Sequence, residues 1–218
     1  MNRPDISLYA ILDPERTRGR DLATLADAAV RGGITLLQLR DKHADTRSFV
    51  SRARAVRAAL AGRIPLLIND RVDVALAAGA DGVHLGKQDM LPADARRLLG
   101  PAAIIGVTLK DSGDLAALDP ALVNYGCIGG VFDTASKHNP AAPVGLDGLS
   151  QLRRQAAPSG LPVGAIAGID EHNAASVIAA GADGVAIISA IFMADDVTAA
   201  AARLRTRVDT ALSSRRNA

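Results

Sequence analysis

Gln38, Arg40 and Lys42 alternate along one short apolar run, which sets an amide and two cations on the same side of a strand. Leu39 then faces the opposite way, and Asp41 offers a carboxylate for a salt-bridged rim. Cations pointing into an enclosed mouth are costly unless they meet an anion. Asn69-Asp70-Arg71 follows a second run, where helix capping and ligand binding are both open. Asp89 follows a third, in His84-Leu85-Gly86-Lys87-Gln88-Asp89. Two carboxylates at neighbouring strand ends suit a hard cation. Mg²⁺ takes one or two protein carboxylates and completes its octahedron with water and phosphate oxygens. The four His are dispersed and Cys127 stands alone, which argues against Zn²⁺. His84 reads more readily as a structural histidine than as a catalytic one, and His43, His138 and His172 as solvated.

Three further segments suit phosphate. The long stretch 132–143 carries Thr134, Ser136 and Lys137, two hydroxyls and a cation. Gly168 would let an anion approach the backbone closely, and Ile188-Ser189 ends the last apolar run. This anion capacity exceeds what one monophosphate needs. It points to two anionic groups: a diphosphate bound with Mg²⁺, and a separate phosphate.

Apolar runs at 7–12, 34–39, 65–68, 82–85, 104–107, 123–131, 162–166 and 184–188 must carry these residues. They alternate with helix-patterned stretches at about 21–31, 46–60, 72–78, 92–99, 114–118, from 146, at 171–180 and at 197–212. The runs are continuously apolar, as in parallel strands covered on both faces. Eight β/α units predict an α/β fold, a (β/α)8 TIM barrel in a single domain, 1–218, with reactive groups beyond the C-terminal strand ends. A doubly wound sheet usually has a glycine-rich turn after its first strand; Asp13-Pro14-Glu15 stands there instead. Ala78-Gly79-Ala80-Asp81-Gly82-Val83 recurs as Ala180-Gly181-Ala182-Asp183-Gly184-Val185, either a common turn or half-barrel symmetry.

With 49% hydrophobic residues but 2% aromatic in 218, the core must be aliphatic. The 22% charged content excludes wholesale disorder. Aromatic poverty argues against a single-stranded nucleic-acid platform, and a net charge of +2 against nucleic-acid binding in general. Cys127 cannot form an internal disulfide, no apolar leader opens the chain, and no run is long enough to span a membrane. A soluble cytoplasmic protein is expected, with no membrane or nucleic-acid partner, compatible with a homo-oligomer. The ends, 1–6 and 213–218, are expected to be flexible.

The segments 33–42, 67–74, 79–89, 105–108, 132–137 and 165–191 together resemble the thiamine-phosphate synthase (thiamine-phosphate pyrophosphorylase) family. The resemblance implies a transferase. It would join 4-amino-5-hydroxymethyl-2-methylpyrimidine diphosphate to 4-methyl-5-(2-phosphoethyl)thiazole and release pyrophosphate, by a dissociative route. It implies that Gln38, Leu39, Arg40, Asp41, Lys42, Asn69, Thr108 and Lys137 hold the pyrimidine diphosphate. Thr134, Ala135, Ser136, Gly168, Ile188 and Ser189 would hold the thiazole phosphate, and Asp70 and Asp89 would bind Mg²⁺. Arg40, Lys42, Lys137 and Thr108 would carry the catalysis, and Lys137→Ala would slow the chemical step with a modest loss of stability. Four positions depart from the family pattern. Thr108-Leu109-Lys110 stands where Ser and then His are usual, Asp133 where Pro is common, Ser136 where Thr is common, and Ala167 in place of a Gly. Rival readings are a thiazole tautomerase, a phosphosugar barrel epimerase and a non-catalytic thiamine-phosphate-binding paralogue.

Overall fold

The computed structural model describes residues 3–134 and 142–217. Its strands are β1 (Leu8–Leu12), β2 (Leu36–Leu39), β3 (Leu66–Asn69), β4 (Gly82–Leu85), β5 (Ile104–Leu109), β6 (Tyr125–Ile128), β7 (Val163–Ile166) and β8 (Gly184–Ile187). They pair in sequence order, all parallel, and β8 closes the barrel on β1 with Tyr9 opposite Ala186. The helices are α1 (Leu22–Arg31), α2 (Thr46–Leu60), α3 (Val72–Ala78), α4 (Pro92–Leu99), α5 (Ser112–Ala116), α6 (Gly145–Ala156), α7 (Ala174–Ala179), α8 (Ser189–Phe192) and α9 (Val197–Arg216). Asp21, Asp45 and Asp196 start α1, α2 and α9 by accepting from the backbone N–H three residues on.

Strand alternation divides the apolar residues into two cores. Leu8, Ala10 and Leu12 pack outward into the layer between strands and helices, with Leu37, Leu39, Leu66 and Ile68. Tyr9 and Ile11 point into the barrel with Leu36, Leu67, Tyr125 and Cys127. Both tyrosines of the chain therefore lie inside the barrel. Gly106 on β5 makes room for one of them: a Cβ there would sit 2.1 Å from Cζ of Tyr125. Burial pushes the Cys127 thiol up to about 12, so it packs as a small apolar group.

The two echoed hexapeptides make the same turn half a barrel apart. Asp81 accepts from the Leu66 N–H at 2.7 Å and donates its own N–H to the Leu66 carbonyl. Asp183 does the same with Val163, at 2.9 Å. The following glycines have no room for a side chain: a Cβ on Gly82 would lie 1.8 Å from the carbonyl oxygen of Ile104, and one on Gly184 1.8 Å from that of Ile6. Because backbone, not a yielding side chain, is in the way, Gly184→Ala is expected to destabilise by about 3 kcal/mol or more. Urea unfolding checks this; a change under about 1 kcal/mol would show that the strands can separate at no great cost.

Several boundaries differ from the sequence expectation. The run at 123–131 yields only the four-residue β6, since Gly129 and Gly130 turn the chain away, Gly130 at φ 76°. α8 is a single turn, too short for a helical period to register. The described ends make defined contacts. Ile6 is buried, and α9 continues to Arg216. Arg215 donates to the carbonyls of Ile178 and Ala182 and to Asp183, which docks the last turn. No described helix is long and apolar enough to cross a membrane.

Candidate active site

A cavity of about 730 Å³, open mouth included, lies at the C-terminal ends of the strands. Gln38, Arg40, Asn69, His84, Thr108, Lys110 and Thr134 supply its polar lining, and Ile11, Ile166 and Ile188 its apolar walls. His84 is the one ring among the described lining residues.

Gln38 sits on the inner face of β2, 1% exposed, and donates from Nε2 to the Tyr9 hydroxyl. Arg40, two residues on, pairs with Asp13. Asp13 follows β1, is 2% exposed and also accepts from the Glu15 N–H at 3.0 Å. The carboxylate that neutralises Arg40 is thus Asp13, not Asp41. Alternation turns Asp41 outward, where it pairs with Arg52 of α2 and caps the following turn through the N–H groups of His43 and Ala44. Leu39 is likewise in the outer core. Neither of these side chains lines the cavity, so only their backbone could meet a ligand there.

The β3 end carries the acidic centre. Asn69 faces the cavity, and Asp70 follows in the left-handed region at φ 61°, its N–H on the His84 carbonyl at 2.9 Å. Neither caps α3: Arg71 occupies that position, with no side-chain cap bond. Lys42 pairs with Asp70, and Asp70 shares a hydrogen bond with Asp89. Asp89 in turn accepts from the Gly86 N–H at 2.7 Å. The two carboxyls part company electrostatically. Burial would raise Asp70, but its bonds to Asp89 and to the Lys42 ammonium outweigh this and hold it below the usual carboxylate range. Asp89 is raised, by burial first and then by the proton it shares with Asp70.

A buried hydrogen-bonded chain continues from Gln38 across the barrel. Tyr9 and Tyr125 join through their hydroxyls at 3.0 Å, Tyr125 meets Nδ1 of His84 at 2.8 Å, and Nε2 of His84 meets the Thr108 hydroxyl at 2.9 Å. Burial raises both phenols above their ordinary range, so they stay neutral.

On the opposite wall, Thr134, Ala167, Gly168, Ile188 and Ser189 line a second, smaller recess. The chain after β6 rests on the β7 end through the N–H groups of Val131 and Phe132. Gly168 has φ 63°, and a Cβ there would approach the Asp133 carbonyl to 2.4 Å. Ala167 has φ 94°, a conformation that favours glycine. Ala167→Gly is therefore expected to raise stability by about 1 kcal/mol, read as a higher urea midpoint. An unchanged or lower midpoint would mean that Ala167 is not strained.

Ala135, Ser136 and Lys137 lie outside the described residues. Asp13, Tyr9 and Tyr125 are not among the strand-end residues that the sequence singles out. For the tyrosines the available signal is a polar atom on an inward-facing position deeper in β1 and β6, and for Asp13 it is a carboxylate just past β1.

The family model described as thiamine monophosphate synthase matches residues 8–191. The chain is 51% identical over 219 residues to the thiamine-phosphate synthase of Agrobacterium fabrum, covering 99% of each. It is 45% identical over 206 residues to that of Chloroflexus aurantiacus, covering 94% of this chain and 93% of the relative. Among solved structures, a thiamine phosphate pyrophosphorylase from Pyrococcus furiosus matches with a TM-score of 0.84 at 34% identity, covering 96% of this chain and 98% of the other. A barrel whose mouth gathers paired cations, two carboxyls and a separate glycine-lined recess is matched along nearly its whole length: the chain belongs to the thiamine monophosphate synthase family.

Proposed function

We propose that this enzyme joins 4-amino-5-hydroxymethyl-2-methylpyrimidine diphosphate to 4-methyl-5-(2-phosphoethyl)thiazole, giving thiamine phosphate and pyrophosphate. The observation that carries this is the set of Arg40 in the cavity lining and the Lys42–Asp70–Asp89 cluster at the neighbouring strand ends, with an adjoining recess at Gly168. The first set suits a diphosphate and the second a monophosphate. In the reaction, the bond between the pyrimidine methylene carbon and the diphosphate oxygen breaks, and its electron pair leaves with pyrophosphate. The thiazole nitrogen then donates its lone pair to the resulting pyrimidine-stabilised carbocation. No protein nucleophile takes part, so positioning and charge compensation carry the catalysis. Arg40, Lys42, Asn69 and Thr108 face the diphosphate, with Lys137. Thr134, Gly168, Ile188 and Ser189 seat the thiazole phosphate, with Ala135 and Ser136. Gln38 and the isoleucine walls take the pyrimidine, with little aromatic stacking.

The donor set fits Mg²⁺. Asp70 and Asp89 are hard oxygen donors set side by side, an arrangement that suits a divalent ion between them. When bound, Mg²⁺ would neutralise charge on the departing pyrophosphate. Lys42, released from Asp70, would then be available to phosphate oxygens. A cytoplasmic setting belongs to the same reading, supported by the single, buried Cys127.

The test is direct: supply both substrates with Mg²⁺ and measure thiamine phosphate and pyrophosphate. Both products in equal amounts, dependent on Mg²⁺, are expected. Turnover without Mg²⁺ would sink the metal assignment. Binding of both substrates without product would favour the non-catalytic paralogue.

A further inference from the structure

Of the lysines and arginines among the described residues, two line the mouth cavity: Arg40 and Lys110. Arg40 is paired with Asp13, and Lys42 at the neighbouring strand end with Asp70. The Lys110 ammonium has no carboxylate partner among the described residues. Asp114, four residues on, accepts from the Lys110 backbone N–H at 2.9 Å, but its other oxygen is taken by the Lys87 ammonium, also at 2.9 Å. Lys87 lies 3.8 Å from Asp111 as well. The residues outside the description, 1–2, 135–141 and 218, include no Asp or Glu, so no side-chain carboxylate can reach Lys110 from there.

Lys110 stands one residue past the end of β5, where the Leu109 carbonyl accepts from the Gly129 N–H at 2.9 Å. Leu109 belongs to the outer core, so alternation sets Lys110 on the same side as Thr108. The missing side chain of Gly129 leaves a gap between them. A Cβ there would lie 3.3 Å from Cγ2 of Thr108 and 4.0 Å from Cγ of Lys110. The Lys110 stem therefore runs beside Thr108 at the cavity wall. The recess at Gly168 is lined by Thr134 and by residues 166–169 and 186–190, without Lys110.

We propose that Lys110 is a further substrate-binding residue, whose ammonium holds the terminal phosphate of the diphosphate and keeps it as pyrophosphate departs. The inference rests on the functional reading above, in which Thr108 faces the diphosphate. When the carbon–oxygen bond breaks, its electron pair leaves with the pyrophosphate, which gains one unit of negative charge. A cation shared with a protein carboxylate offers that charge only part of its field. Lys110 is exposed and unshared, so it waits in water at little cost and gives its whole charge to the phosphate. Its place in the cavity lining and not in the recess assigns it to the diphosphate and not to the thiazole phosphate.

Calorimetric titration with pyrophosphate in Mg²⁺, and separately with 4-methyl-5-(2-phosphoethyl)thiazole, compares the wild type with Lys110→Gln and Lys110→Arg. Glutamine is expected to raise the pyrophosphate Kd about tenfold or more, the loss of one charge-assisted contact. Arginine keeps the charge and should stay within about threefold of the wild type. The thiazole phosphate Kd and the urea midpoint should not move in either variant. A merely structural role would weaken both ligands together and lower the midpoint. An unchanged pyrophosphate Kd in Lys110→Gln, a weakening shared with or confined to the thiazole phosphate, or no pyrophosphate binding by the wild type overturns the proposal. Wild-type protein that binds pyrophosphate but yields no thiamine phosphate from the two substrates would sink the functional reading instead, and the pyrophosphate Kd values would still decide Lys110.

Discussion

Asp13→Asn is expected to lower the free energy of unfolding by about 3 kcal/mol and to regain much of it when pyrophosphate is added. Asp13 does two things: it caps the short turn that begins at Pro14, and it holds the Arg40 guanidinium. Asparagine caps nearly as well as aspartate, so the cap survives. What disappears is the counter-charge of a guanidinium whose side chain is only 14% exposed. Removing one partner of a buried pair costs more than the pair contributed, because the other charge stays desolvated. The open mouth puts the cost at the low end of that range. Pyrophosphate offers the missing negative charge. Saturation at 100 times its Kd would stabilise by about 2.7 kcal/mol, and the variant should bind it more tightly than the wild type does. Urea unfolding of both proteins, with and without pyrophosphate, is the measurement. Equal stabilities, or equal gains on adding the anion, would show that Asp13 is not what holds Arg40 in charge balance.

The barrel is legible because parallel strands covered on both faces leave unbroken apolar runs, and the turn residues between them are distinctive. Asp81 and Asp183 show how local that information is: each ties its turn to the start of the preceding strand. The docked C-terminus is not legible in the same way. Arg215 is held by carbonyl oxygens and one carboxylate, and no apolar pattern marks such bonds. At the mouth, alternation correctly separates Gln38 and Arg40 from Leu39. It also sends Asp41 to α2, which its place among functional neighbours conceals. Asn69 and Asp70 are ambiguous in sequence because good caps and good ligands are the same residue types. The positive φ of Asp70 and the placement of Arg71 at the cap remove the capping role, and both are tertiary facts. Tyr9 and Tyr125 are hidden for a different reason. On aliphatic strands they read as core, and only closure of β1 through β6 brings their hydroxyls together.

Asp70→Asn should behave oppositely to Asp13→Asn, although both remove a carboxylate paired with a cation at the same mouth. Its expected effect is a fall of about a thousandfold in kcat/KM, equivalent to about 4 kcal/mol of transition-state stabilisation. Stability should change by less than about 1 kcal/mol. Asparagine is the informative replacement because it tolerates the left-handed backbone that Asp70 adopts, whereas alanine would add strain. The cation left behind is Lys42, whose side chain is 42% exposed and can turn to solvent. The substitution also changes Asp89. With the neighbouring charge gone, its carboxyl falls back toward the ordinary range, although burial still raises it. Because Asp89 holds its proton to higher pH than an ordinary carboxylate, apparent Mg²⁺ affinity should weaken as pH falls into that raised carboxylate range. Mg²⁺ titrations at a series of acidic pH values read this dependence. In Asp70→Asn it should move to lower pH, along with a loss of affinity. Full Mg²⁺-dependent turnover in this variant would remove Asp70 from the metal site. A large loss of stability would mean that the Lys42–Asp70–Asp89 cluster serves the fold, as Arg40–Asp13 does, more than the chemistry.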